Sequence, residues 1–118
     1  MSCADLIGHL FLARDVTHSV HLNTRSYAKH KALGGFYEKV IDLADDLAEA
    51  YQGRYGLIGP ITLHSAKKTN NVVEFLEDSL KEIEEARKEY NGDPALQNII
   101  DSIVDLYLST LYKLKFLA

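Results

Sequence analysis

Apolar residues recur at three-to-four spacing along most of the chain, and no stretch alternates between apolar and polar as a strand would. The pattern predicts four helices. The first runs from about Cys3 to about Asn23, with Leu6, Leu10, Ala13, Thr17 and Val20 on one face and Ser2-x-x-Asp5 as a candidate capping box. Thr24 or Ser26 can cap the second, from about Tyr27 to Arg54, which turns Leu33, Phe36, Tyr37, Val40, Ala44, Leu47 and Tyr51 inward. Within it, Gly34-Gly35 costs up to ~1 kcal/mol per glycine relative to Ala. Such a pair marks a close backbone approach or a kink. The third helix is expected from about Ala66 to Tyr90, with Val72, Leu76, Ile83, Ala86 and Tyr90 inward and Glu74, Glu77, Asp78, Lys81, Glu82 and Glu85 outward. Asn91-Gly92 stops it, and Asp93-Pro94 supplies an N-cap with proline at the first helical position. The fourth, Pro94 to about Phe116, is apolar most of the way round, which predicts burial in a subunit interface as well as in its own bundle.

Gly53, Gly56 and Gly59-Pro60 open a link through about Ser65, longer than the turns on either side of it. Two hairpins joined by a longer link predict an all-α, antiparallel, ferritin-like four-helix bundle, although the link is short for a full-length crossover. The 118 residues form a single domain, 1–118. Net charge is −4, and a basic pair such as Lys67-Lys68 is too little for a phosphate-tracking groove, so nucleic-acid binding is not expected. Leu6 to Ala13 lacks the basic flank of a signal peptide. No run approaches the ~20 apolar residues of a membrane span. A single Cys3 fits a reducing compartment, hence a cytoplasmic protein.

Candidate chemistry lies in His18, His30, Asp45 and Glu49, which read His-x11-His-x14-Asp-x3-Glu. Two imidazoles with two carboxylates make a mixed N/O donor set suited to ferrous iron or zinc. With 5 His and 17 Asp plus Glu in the chain, a shuffled sequence would show this pattern roughly once in a thousand. Asp45 and Glu49, four apart, share a helix face. His30 and Asp45 are separated by about 22 Å along one helix at ~1.5 Å per residue. Ligands of one ion must lie about 2.0–2.2 Å from it. One chain therefore cannot place both on the same ion, whereas two antiparallel copies across a twofold axis can. Taking Val40 as the centre of the inward face, Asp45 and Glu49 lie about 140° and 180° away, and His30 nearer 80° at the flank. A bundle-core di-iron site would need inward carboxylates and Glu-x-x-His pairs, and the chain has no Glu-x-x-His.

The segment from His18 to Glu49 resembles the Dps-type miniferritins of the ferritin-like superfamily, with Gly35-Phe36 after the second histidine and Asp45-x-x-Ala48-Glu49 as in that family's D-x-x-A-E core. The last helix, from Gly92-Asp93-Pro94 to Leu114-Lys115-Phe116-Leu117, resembles theirs. The resemblance implies a ferroxidase-type site for iron between twofold-related subunits, with His18 and His30 from one and Asp45 and Glu49 from the other, in a homo-oligomer. Ser19 stands where the family usually has Trp, and Ala50 where it has Arg. The short link lacks the small helix that the family uses in assembly, so a closed shell storing ferric mineral is not expected. Small proteins of tailed phages are also similar, through His21-Leu22-x-Thr24-x-Ser26-x-Ala28-x-His30 and Tyr51-Gln52-Gly53-x-Tyr55-Gly56. A phage-encoded chain would act in the host cytoplasm.

The competing reading is a non-catalytic helical interaction protein carrying a relic metal site, its contact surfaces being the acidic third helix and the apolar fourth. Asp45 and Glu49 belong to an acidic stripe with Glu38, Asp42 and Asp46, and such a stripe is usually a solvated face. His21, three residues after His18, is either a fifth ligand or a structural residue paired with Thr24, and the structural role is favoured. His9 and His64 have no partner at useful spacing, Tyr27, Tyr37, Tyr51 and Tyr55 are expected to pack, and Cys3 to be inert.

Overall fold

A computed structural model of the chain describes residues 1–65 and 68–118. Its first helix, α1 (Cys3–Asn23), starts where side chains dictate: Ser2 Oγ accepts from the Asp5 amide at 3.1 Å while Asp5 accepts from the Ser2 amide at 3.0 Å. Ser26 caps α2 (Tyr27–Tyr55), accepting from the Lys29 amide, and Thr24 accepts from the Ser26 amide in the turn between. The α2 helix is continuous through Gly34 and Gly35. What approaches Gly34 is a ring rather than backbone: a Cβ there would lie 3.0 Å from His21 Cε1, while Gly35 has nothing within 4 Å.

The third helix is shorter than its periodicity suggests. α3 covers Val72–Ala86 and tightens into a 3₁₀ turn, Arg87–Tyr90. Of its expected first turn, Ala66 and Lys67 lie outside the described residues, and Lys68 to Asn71 are not helical. Thr69 Oγ1 accepts from the Asn71 amide and Asn71 Oδ1 from the Glu74 amide, so short polar side chains take donors a helix would use. Gly92, at φ +88°, turns the chain into α4 (Pro94–Phe116), where Asp93 caps the Leu96 amide.

No strand occurs among the described residues. α1 packs on α2 and α3, and α4 packs on α2 and α3, so α1 lies diagonally across from α4. Leu6, Leu10, Leu33, Phe36, Val40, Leu76, Ile83, Ile100, Ile103 and Tyr107 form the shared core. Phe36 meets Tyr107 edge-to-face at 5.0 Å. The α2–α3 link leaves the helix through Gly56 and Gly59, both at positive φ, and Ile58 and Ile61 pack against the core. It crosses α1 so closely that a Cβ on Gly8 would stand 2.4 Å from the Thr62 carbonyl oxygen. No helix is long and apolar enough to cross a membrane among the described residues.

Candidate functional site

The α1–α2 turn brings His18, His21 and His30 to one corner. The Thr24 amide takes the Val20 carbonyl as α1 ends, which leaves the His21 carbonyl beyond the helical ladder. His30 Nδ1–H donates to that carbonyl at 2.8 Å, and His21 Nδ1–H donates to the His30 carbonyl at 2.6 Å. The two rings stack at 3.8 Å and 16°, with His21 seated against Gly34. His21 thus clasps His30 rather than Thr24, a tertiary pairing that spacing alone does not show. His18 stacks on Tyr37 at 4.0 Å and 13°.

In each clasp residue the Nδ1 proton is committed to a carbonyl, so the neutral ring carries its lone pair on Nε2. Metal-bound histidines are commonly oriented in this way, by a backbone bond from the other ring nitrogen. The stack on Tyr37 covers a face of the His18 ring rather than its edge. Asp45 and Glu49 are exposed on α2, and His30 is half-buried at the flank, in line with the helical-wheel placement. The structure brings the histidines together and leaves the carboxylates along the same continuous helix, Asp45 about 22 Å and Glu49 about 28 Å from His30 by helical rise. Among the described residues of one chain, no group of three His, Cys, Asp or Glu could hold a metal ion.

A second polar constellation is absent from the sequence reading. His9 Nε2 lies 2.7 Å from Ser79 Oγ, His9 Nδ1 lies 3.1 Å from Glu82 Oε2, and Ser79 Oγ lies 2.8 Å from the Tyr107 hydroxyl. An arrangement in which Tyr107 donates to Ser79, Ser79 to His9 Nε2, and His9 Nδ1–H to Glu82 satisfies these distances; His9 Nε2 also lies 3.3 Å from the Ser79 carbonyl, which it would reach only as a donor. Hydroxyl, imidazole and carboxylate in this order have the geometry of a nucleophile and its base. Ser79 is only 3% exposed, however, and its hydroxyl is bonded on both sides, so no acyl group can reach it. The network is a structural tie among α1, α3 and α4. Its one legible trace was Ser79's place between Leu76 and Ile83 on the inward stripe of α3. His64, by contrast, is exposed.

Asp93 joins the end of α2 to the start of α4. Tyr55 donates to it at 2.7 Å and Arg54 Nε lies at 3.1 Å. The Tyr55 hydroxyl first, with the Leu96 amide and Arg54, holds its carboxyl below the usual value against the opposing effect of burial. Tyr55 therefore ties two elements as well as packing on Tyr51. Burial pushes the Cys3 thiol up, against the Tyr90 hydrogen bond, which disfavours the reactive thiolate.

Residues 21–114 match a family of unknown function, DUF5856. The chain belongs to that family. The matched segment holds His21, His30, Asp45 and Glu49 and begins three residues after His18. The chain is also 30% identical over 111 residues to an uncharacterized 14.6 kDa protein in the mobD-ri intergenic region of Enterobacteria phage T4, an alignment covering 93% of this chain and 85% of the phage protein. The likeness to tailed-phage proteins read from the α1–α2 turn thus extends over most of the length. No solved structure matches the chain.

Proposed function

We propose that this family member is a ferritin-like metal-binding protein with a Dps-type site between subunits. His18 and His30 of one chain and Asp45 and Glu49 of a twofold mate would hold iron, with Fe(II) as the substrate of a ferroxidase-type oxidation by dissolved dioxygen. Zinc would bind the same donors without redox chemistry. The observation that carries the reading is the bond from His30 Nδ1 to the His21 carbonyl, which leaves Nε2 as a free donor at a half-buried flank. Exposed Asp45 and Glu49 supply charge that offsets the ferric state. The likeness to a phage protein supports action in a host cytoplasm.

The test is metal stoichiometry. His30→Ala and Glu49→Ala should each abolish stoichiometric Fe(II) or Zn(II) binding. Mixing the two variants should restore one site in two for heterodimers. His21→Ala breaks the clasp and removes no ligand, so its retained binding separates loss of a donor from loss of local structure. Wild-type protein that binds neither metal in calorimetry would overturn the reading.

The second reading is a helical interaction protein with no metal chemistry. It is favoured by the His21–His30 clasp, which gives two of the histidines a structural role, and by the apolar side chains exposed on α4. The same calorimetry decides between the two.

A further inference from the structure

The cleft between α3 and α4 lies on the face of the bundle opposite the α1–α2 pair. It encloses about 810 Å³ over an apolar floor that includes Leu80 and Leu111. Leu108, Tyr112 and Phe116 stand along it at 52%, 54% and 73% exposure, large apolar side chains that the chain's own core does not use.

Four of the charges along this cleft are antisymmetric about its middle; Glu85, also on its lining and paired with Lys88 in the chain, has no such counterpart, and Glu84 is paired in the chain with Arg87. Glu77, Lys81, Glu84 and Lys88 follow one another at four, three and four residues, Lys88 in the turn after α3, so they share one stripe. Read backwards, the order of signs inverts. Two antiparallel copies of the stripe therefore set Glu77 against the partner's Lys88, and Lys81 against the partner's Glu84, with each pair occurring twice. α4 carries one matched pair about Leu108, Asp101 and Lys115, which stand seven residues to either side, while Asp105 and Lys113 have no charged counterpart. The matched pair also ties α4 to α3 within the chain, Lys115 to Glu77 and Asp101 to Arg87, so the centres of both stripes are level. A twofold axis there would pack Leu108 on itself and Tyr112 near the partner's Val104.

We infer that this face is an isologous interface with a second copy of the chain. An isologous contact requires a self-complementary patch. The apolar strip supplies the association, and the charges select the antiparallel register. This interface is independent of the metal reading, and with that site the chain would own two different twofold contacts.

The test is sedimentation of the full chain in chelator, with Lys81→Glu, Glu84→Lys and the double variant. The wild type should dimerise. Each single exchange places like charges across the axis and should raise the dissociation constant about tenfold. The double exchange restores opposite charges and should recover most of the affinity. Leu108→Glu should leave monomers, with helical circular dichroism unchanged because the site is exposed. His30→Ala should dimerise like the wild type, which separates this contact from the metal site. A wild type monomeric at 100 µM (on the order of an ordinary weak-dimer constant), or a double variant no tighter than the singles, would overturn the inference.

Discussion

His21 and His30 each donate a ring N–H to the other's carbonyl, at 2.6 and 2.8 Å, with the rings stacked face to face. The clasp closes the α1–α2 turn with two side chains nine residues apart, and it supplies a partner for a carbonyl that α1 leaves unpaired. It also fixes which nitrogen of each ring faces outward. Fold and candidate chemistry share the same bonds at this corner.

The clasp should show as coupling. His21→Ala and His30→Ala should each lower stability by about 1–2 kcal/mol, from one lost hydrogen bond and the lost stack. The double variant should lose less than the sum, since both singles remove the same stack. Urea unfolding of the four proteins measures it. Additive losses would mean that the rings act separately.

The neighbouring glycines should respond with opposite signs. Gly35→Ala enters open space in a helix interior and should stabilise by about 0.5–1 kcal/mol through propensity alone. Gly34→Ala gains the same propensity but puts its methyl 3.0 Å from His21 Cε1, so the ring must move off its seat and the clasp is strained. It should be neutral or destabilising. Equal stabilisation at both sites in thermal melts would show that the ring yields without cost.

Helix ends with local side-chain caps were legible before the fold was known. Ser2 with Asp5 and Asp93-Pro94 mark starts closely, and Thr24 or Ser26 brackets the start of α2, because the bonds involved span only three residues. The start of α3 was not, since Thr69 and Asn71 serve loop and helix alike and the choice depends on how the link docks at Gly8. The outward placement of Asp45 and Glu49 follows from the helical repeat. Contacts made by folding left almost no trace: His9 and Ser79 are 70 residues apart, and nothing in spacing connects His21 to the carbonyl of His30. For the quartet, helical rise shows that one chain cannot assemble it, and it says nothing of the mate.

The buried tie from Tyr107 to Ser79 should show the asymmetry of removing one partner. Ser79→Ala leaves the Tyr107 hydroxyl buried without its acceptor, as Tyr107 is 0% exposed, and should cost about 1–3 kcal/mol. Tyr107→Phe removes the donor while Ser79 keeps His9, and should cost about 1 kcal/mol. Adding Tyr107→Phe to Ser79→Ala should recover part of the loss. Chemical denaturation of the three variants is the check. A double variant weaker than Ser79→Ala would show that the phenol finds another partner.

Acid should weaken the junction of α2 with α4 through Asp93. Its folded-state carboxyl is held below the ordinary value, first by the Tyr55 hydroxyl, so the unfolded chain binds the proton more tightly than the native one does. The stabilisation is therefore complete above the unfolded value, about 3.9. It is lost as pH falls through the lower folded value. Asp5, lowered by its bonds to Ser2, contributes with the same sign. Asp93→Asn keeps a side-chain oxygen for the Leu96 amide, since asparagine caps about as well as aspartate. It should lower the melting temperature at pH 7, where the Arg54 pair is lost, and lose less than the wild type does between pH 4 and pH 2. Melting curves across that range decide. Parallel slopes for both proteins would place the acid sensitivity elsewhere than Asp93.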